Sequence, residues 1–258
     1  MEKPRGSYRR AVALSLSLAW AASLAPAAEP GARSYTVGVV FEHLSRTVVW
    51  QGETGASRVR ANQVAARAGL DLGRGLSLGL TAGLSMSGFD DLVFDGLPIS
   101  LELGSTTLKG VVLGAELEAA LFDLGDIEIG AACRFVSSFG LARTWPLEGF
   151  AVPGEASGKV NWMEASAGPR VMYRVSRVFA PYLEAAVRWF RVDARMDETL
   201  EDLHGSEKKT VSGDVAFSFA LGADIPLSER LKVRAKAGIA PFAGGVDGLA
   251  SVGLAYAF

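Results

Sequence analysis

A strict alternation of side chains over Leu76 to Ser87 limits most strongly what this chain can fold into. Leucine, alanine or methionine stands at every even position, and serine, glycine or threonine stands at every odd one. Successive side chains of a strand point to opposite faces, whereas a helix of this sequence would place leucine all around its circumference. The segment is therefore predicted to be a β-strand with one apolar face and one face of small and polar residues.

The same period of two recurs from Tyr35 to Phe258. It predicts an all-β fold of about ten antiparallel strands, within a range of about eight to twelve. Pro169 interrupts one strand and predicts a β-bulge there, because proline removes a donor from the ladder. The predicted short turns are Gly73 to Gly75, Phe122 to Asp126, Ser176 to Val178 and Ile225 to Arg230, and the longer polar loops include Gly88 to Ser105, Ala142 to Gly158 and Asp193 to Thr210.

The last ten residues resemble the closing strand of bacterial outer-membrane β-barrels. Val252, Leu254, Tyr256 and Phe258 share one face, and the chain ends on an aromatic residue. The resemblance implies a transmembrane antiparallel up-and-down β-barrel of a Gram-negative outer membrane, in which short turns face the periplasm and longer loops face outward. It also implies that Tyr256 and Phe258 are an assembly signal for the barrel-assembly machinery, and that outer-membrane lipid and lipopolysaccharide are partners. The first strand, from Tyr35, is expected to pair with the last and close the ring.

The N-terminus has the features of a secretory signal peptide. Lys3, Arg5 and two further arginines precede an apolar stretch from Ala11 to Leu24, and Ala25-Pro26-Ala27 offers a cleavage site. The predicted division is a signal peptide at 1–27 and a barrel at 28–258, with a single N-terminal membrane anchor as the alternative. No later segment approaches the roughly 18 to 20 apolar residues of a transmembrane helix.

The small, polar faces of the strands are predicted to line the lumen of a membrane barrel. Those faces carry many glycines and many charged residues, which is not expected of the exterior of a soluble barrel. Inside a narrow barrel, the glycines make room for long side chains. Charges shielded from bulk water need partners, so an ion-paired interior is expected. The predicted lumen charges are Arg67, Asp71, Glu116, Glu118, Glu128, Arg134, Glu164, Arg170, Glu184, Arg188, Asp214, Lys232, Arg234 and Lys236.

Two loop segments are similar to the catalytic loops of the omptins, a family of ten-stranded outer-membrane proteases. Asp90 and Asp91 follow one predicted strand, and Asp202-Leu203-His204 lies in a later loop. The resemblance implies that Asp202 orients His204 as a general base, with the aspartate pair opposite and a water between them. The alternative is that acidic residues of polar loops are simply solvated.

These features favour a non-enzymatic surface or structural membrane protein, or a narrow pore with a charged and mostly plugged lumen. An omptin-like protease and a soluble periplasmic barrel that binds a ligand are the alternatives. With Cys133 as the single cysteine, only two histidines and no ligand spacing, no metal site or cofactor is expected. A net charge of −2 without a basic, aromatic patch gives no indication of nucleic-acid binding.

Overall fold

Antiparallel β-strands form the regular structure of this protein. The computed structural model describes residues 34–52, 55–104, 106–149, 151–176, 178–242 and 245–258, without the side chains of 212–214, 242 and 245. The predicted signal peptide at 1–27 lies outside the described residues. Within them, no helix is long and apolar enough to cross a membrane. The strands are β1 (Tyr35–Val49), β2 (Ala56–Gly73), β3 (Leu76–Asp90), β4 (Val93–Phe94), β5 (Leu101–Glu102), β6 (Leu108–Asp123), β7 (Ile127–Gly140), β8 (Arg143–Pro146), β9 (Gly154–Tyr173), β10 (Ala180–Leu200), β11 (Leu203–Pro226), β12 (Leu231–Phe242) and β13 (Gly245–Ala257).

Ten of these strands form a closed ring in the order β1, β2, β3, β6, β7, β9, β10, β11, β12 and β13. The ring closes between the first strand and the last, where Thr36 lies opposite Ala257 and Ser45 lies opposite Gly248. The Phe258 N–H also donates to the Tyr35 carbonyl, at 2.9 Å. The predicted ten-stranded antiparallel barrel and the pairing of its terminal strands are confirmed.

The outer face of the ring carries a continuous apolar band. On β2, the outward positions from Val64 to Leu72 are apolar or small, a length that suits one membrane crossing by a strand. Side chains of this band are about half exposed, as a lipid-facing surface requires. A continuous apolar outer face of this kind is characteristic of a transmembrane barrel. The exposed large side chains of the band include Val37, Val39, Phe41, Val64, Leu80, Leu84, Val111, Leu113, Phe135, Val171, Leu183, Phe217, Phe219, Leu221, Val252 and Leu254.

The strands continue beyond this band on the side opposite the short turns, and there the polarity of the two faces is reversed. On β10, Val187 faces outward and Arg188 faces the lumen, whereas farther along Asp193 faces outward and Val192 is fully buried. On β1, outward Val39 is likewise followed by buried Val48. The outer half of the barrel therefore resembles a soluble barrel, with water outside and an apolar core within.

Two expectations for the strands were wrong. The segment Asp193 to Thr210 is not a loop, because Asp193–Leu200 and Leu203–Thr210 pair as a continuous hairpin of β10 and β11. Charged outward residues gave it the composition of a loop, while its inward residues pack in the core. Pro169 causes no bulge, since the β7–β9 and β9–β10 registers pass it without a shift. Its ring faces lipid, and the β9–β10 ladder lacks only the pairs of Pro169 and the neighbouring Gly168 in this region.

Candidate functional site

The four residues of the omptin-like hypothesis are not brought together. Asp90 is the last residue of β3, points outward and forms an ion pair with outward Arg60. His204 is exposed on β11 and lies 3.2 Å from the Thr199 hydroxyl, through its Nδ1. The strands β3 and β11 lie on opposite sides of the ten-strand ring. Outward side chains on opposite walls cannot flank one water molecule.

The other two residues do not complete such a site either. Asp91 is in a bend after β3, with a φ of 61°, and Asp202 is exposed in the tight turn between β10 and β11. Leu92, which follows the aspartate pair, is instead fully buried. The described residues therefore contain no arrangement of these four side chains that matches a general-base site.

The space between the outer walls of the barrel is filled with apolar side chains. The segment from Asp91 to Gly104, called the plug loop here, carries β4 and β5 and folds inward over the lumen. Trp50 packs on Phe89 with ring centres 6.4 Å apart, and Trp162 stacks on Phe190 at 6.2 Å. These rings and the plug loop close the outer mouth. The plug loop contributes Leu92, Phe94, Leu97 and Leu103 to this core, each at most 7% exposed.

Two carboxylates of the β10–β11 hairpin hold the plug loop in place. The Gly96 N–H donates to Glu207 at 2.7 Å, and the Ile99 N–H donates to the nearly buried Glu198 at 3.2 Å. Pro98 packs against Gly205, where a Cβ would overlap its ring. The loop is thus tied to the tallest wall of the barrel by backbone hydrogen bonds and by packing.

The inner half of the lumen holds a network of ion pairs, called the lumen network here. Glu118 accepts from Arg170 at 3.0 Å and also pairs with Arg234. Asp224 accepts from Arg234 at 2.8 Å and from the Lys232 ammonium at 3.1 Å. Each charge in this poorly solvated space therefore has an opposite charge beside it, which is the condition for burying it. The remaining pairs are Arg67 with Glu116 (2.8 Å), Lys236 with Glu184 (3.4 Å), Arg134 with Glu42, and Arg188 with Glu164 (2.6 Å).

Two of the predicted lumen charges line the lumen beside the short turns, where they also contact turn residues, and the side chain of a third is not described. Asp71 accepts the Gly73 N–H at 2.8 Å and stabilises the turn after β2. Glu128 pairs with Arg174 at 2.5 Å beside a short turn. The side chain of Asp214 is outside the described part of the structure.

Several contributors to the interior were missed from the sequence. Tyr182 lies under the Arg170 guanidinium, whose carbon is 4.0 Å from the ring centre, and a Cβ on Gly222 would overlap that ring. Arg46 and Asp247 form a buried pair at 3.4 Å in the outer half of the barrel. The alternation that places Tyr182 on an inner face was readable, but its stacking partner depends on pairing between strands.

A cavity of about 280 Å³ lies in the inner half of the lumen. Ser34, Thr36 and Asp71 line it near the ends of their strands, and Glu116, Arg134 and other members of the lumen network line its walls. It therefore lies toward the rim of short turns, on the far side of the core from the outer mouth. The described residues contain no group of three histidine, cysteine or carboxylate side chains placed to hold a metal ion.

At the rim of short turns, Asp123 and Arg174 form an exposed pair at 3.1 Å. The hydrogen bond from Arg174, with a second from the Gly125 N–H, holds the pKa of the Asp123 carboxyl below its ordinary value. This pair stabilises the turn between β6 and β7 and lies outside the membrane band.

No protein-family model and no curated protein sequence matches the chain. Among solved structures, the outer membrane protease OmpT from Escherichia coli is 13% identical, with a TM-score of 0.55, over 90% of this chain and 99% of that one. The translocator domain of the autotransporter NalP from Neisseria meningitidis is 12% identical, with a TM-score of 0.47, over 96% of each chain. The chain thus has the fold of the outer-membrane β-barrels, and at this identity the likeness concerns the fold alone.

Proposed function

We propose that the protein is an integral outer-membrane β-barrel that does not conduct solutes and serves as a surface or structural protein. The observation that carries the proposal is the closed outer mouth. A pore needs a continuous polar path, but the outer half of this lumen is a packed and mostly apolar core, in which the buried Arg46 and Asp247 pair with each other. The closed barrel then acts as a rigid membrane support for the external hairpins and loops.

The lumen network supports the same proposal. Arg234 pairs with Glu118 and Arg134 pairs with Glu42 across the barrel, so these side chains fill the lumen rather than line an open channel. The cavity among them lies on the periplasmic side of the apolar core in the orientation proposed here. A solute that entered it would meet the core before the outer mouth.

Conductance of the purified protein in a planar lipid bilayer tests this proposal. The expected result is a silent bilayer when insertion is established independently by heat-modifiable migration. The variant Leu92→Ser/Phe94→Ser/Leu103→Ser makes the plug loop polar and is expected to give flickering openings, because the loop loses the burial that holds it inward. Leu203→Ser is the matched control, since Leu203 is 59% exposed. Steady single channels from the unmodified protein would contradict the proposal.

The two alternatives from the sequence have less support. If the barrel were soluble, its continuous outer band of large apolar side chains would be exposed to water, which is unfavourable. An omptin-type protease would need acidic and histidine side chains that converge on one site, and the predicted set does not converge within the described part of the chain. Cleavage of basic peptides that disappears in His204→Ala would favour the protease instead.

We also propose that the C-terminal strand is the assembly signal. Tyr256 and Phe258 pack edge to face with ring centres 5.0 Å apart, and Phe258 is 74% exposed. An exposed aromatic terminus at the closing seam is available to a binding partner before the ring closes. The partner proposed is the barrel-assembly machinery.

A further inference from the structure

We propose that the inner half of the lumen is a binding site for a small carboxylate anion that enters from the rim of short turns. The site is the cavity of about 280 Å³ described above, and Arg170 on β9 binds the anion from the cavity wall. Arg170 also lines a second cavity of about 210 Å³, nearer that rim. The inference does not depend on the surface role proposed above or on whether the lumen conducts.

One cation in this part of the lumen has no carboxylate of its own. Four cations of the lumen network each pair with a different carboxylate, as described above. The other three described cations of the network, Arg170, Lys232 and Arg234, share two carboxylates, Glu118 and Asp224; these five residues are called the charge cluster here. The charge cluster therefore has one positive charge in excess.

The excess charge lies where water reaches it poorly. The side chains of Arg170 and Asp224 are 9% and 7% exposed. A charge that is shielded from bulk water needs a partner of opposite sign. The other carboxylates at this end of the lumen are engaged elsewhere, because Asp71 accepts the Gly73 N–H and Glu128 pairs with Arg174. A bound anion balances the charge cluster.

The Arg170 side chain has the unused hydrogen-bond donors that such an anion needs. Its Nη1 lies 3.0 Å from Glu118, but its Nη2 is 3.7 Å from Asp224, which is beyond hydrogen-bond length. Within the described part of the chain, neither Nε nor Nη2 of Arg170 has a hydrogen-bond partner, although both atoms are buried. These two N–H groups share one edge of the guanidinium, and such an edge binds a carboxylate through two parallel hydrogen bonds.

The surroundings of Arg170 leave room for a small anion. The Tyr182 ring lies under the face of the guanidinium, with its centre 4.0 Å from the guanidinium carbon, so it does not cover the edge that carries the donors. The cavity wall on the opposite side of the ring, formed by β1 and its neighbours, includes Gly38, Gly69 and Gly79. A compact anion can therefore lie between these glycines and the charge cluster.

The charge of the cluster favours a singly charged anion. One carboxylate makes the numbers of positive and negative charges equal, whereas a doubly charged phosphate would leave an excess negative charge in the same poorly solvated space. The planar, two-oxygen shape of a carboxylate also matches the two adjacent donors of Arg170, which a spherical halide does not. The ligand class is therefore a small monocarboxylate.

Titration of the purified barrel with sodium acetate, in neutral detergent and chloride-free buffer, tests the inference. The ¹H–¹⁵N NMR signal of the Arg170 Nε reports binding at the proposed donor. Acetate is expected to shift this signal to saturation with roughly millimolar affinity, which is what so small a ligand can reach. Acetamide, which has the same shape without the charge, is expected to leave the signal unchanged, and sodium chloride is expected to shift it more weakly than acetate does.

Variants are compared by how much acetate raises the unfolding free energy, since a ligand of the folded state stabilises it. Arg170→Gln removes the donors and the excess charge together, and it is expected to weaken acetate binding roughly 10- to 100-fold. Glu118→Gln increases the positive excess and is expected to strengthen binding roughly threefold or more. Arg174→Gln removes an exposed, paired cation at the rim and is the control, with a change of less than about threefold.

Four results would overturn the inference. They are the absence of a saturating shift with acetate, an equal shift with acetamide, unchanged affinity for acetate in Arg170→Gln, and chloride that binds as tightly as acetate. The last result would identify a halide site instead of a carboxylate site. Heat-modifiable migration establishes that each variant is folded, and if Arg170→Gln does not fold, the comparison of acetate with acetamide and the sign of the change in Glu118→Gln decide.

Discussion

The buried pair of Glu164 and Arg188 offers the sharpest test of how the lumen is stabilised. The two side chains are 8% and 4% exposed, their charged atoms are 2.6 Å apart, and the Arg188 Nε also donates to the Ser218 hydroxyl at 2.9 Å. Arg188→Met removes the partner of a carboxylate that is only 8% exposed, which costs about 3–5 kcal/mol of unfolding free energy. Glu164→Met leaves the guanidinium unpaired and is expected to cost a similar amount.

The double variant Glu164→Met/Arg188→Met is expected to lie within about 2 kcal/mol of the original protein, since two apolar side chains of similar volume replace both charges. Reversible urea titrations in lipid vesicles give the unfolding free energies of the original protein, the two single variants and the double variant, which together form a double-mutant cycle. Arg174→Gln, which removes an exposed cation, is the control and should cost less than about 1 kcal/mol. If the double variant is as unstable as the sum of the single variants, Glu164 and Arg188 do not stabilise one another.

Three further predictions concern packing, assembly and the rim of short turns. Gly222→Ala should lower the unfolding free energy by about 1–3 kcal/mol in the same titration. Gly253→Ala should cost less than about 1 kcal/mol, because a Cβ on Gly253 would lie 3.5 Å from the nearest atom. Equal costs for the two variants would contradict the packing argument. Deleting Phe258 should reduce the heat-modifiable fraction in isolated outer membranes more than it changes refolding of the purified protein, and normal assembly in cells would count against the signal. Because the pKa of Asp123 is lowered, its hydrogen bond with Arg174 is present above the ordinary carboxyl pKa and is lost as the pH falls through the lowered pKa. An NMR titration of the Asp123 carboxyl should show a low midpoint that rises in Arg174→Gln. The same midpoint in both proteins would refute Arg174 as the cause of the lowered pKa.

The strands and their faces could be predicted because period-two alternation is a local property. Leu76 to Ser87 lies within β3, Gly73 to Gly75 is a tight turn in which Arg74 also has a positive φ of 57°, and the first and last strands pair as expected. Glycine and charge on one face then distinguished a membrane barrel from a soluble one. Each inference needed only neighbouring residues and the geometry of a strand.

The closed outer mouth could not be predicted in the same way. Leu92, Phe94, Leu97 and Leu103 are apolar, but their spacing keeps no single period over the segment, and polar residues such as Asp95, Ser100 and Glu102 lie among them. Their burial depends on the distant hairpin of β10 and β11, whose Glu198 and Glu207 bind the plug loop. The many apolar side chains of this external segment were a signal that it packs inward, although not where it packs.

The reversal of polarity along a strand locates the membrane boundary better than composition does. On β1 the large apolar residues other than Val40 stand at odd positions up to Phe41, and those from Leu44 stand at even positions except Val49 at the end of the strand. On β10, with the exception of Tyr182, they change from odd to even between Trp189 and Phe190. The side chains still alternate between the two faces, so the change reflects the surroundings of the outer face, from lipid to water. Asp193 to Thr210 has the composition of a loop because its outward residues meet water. Its inward residues continue the period of two. In a strand that leaves the membrane, the apolar residues change from odd to even positions, whereas in a loop the alternation itself is lost.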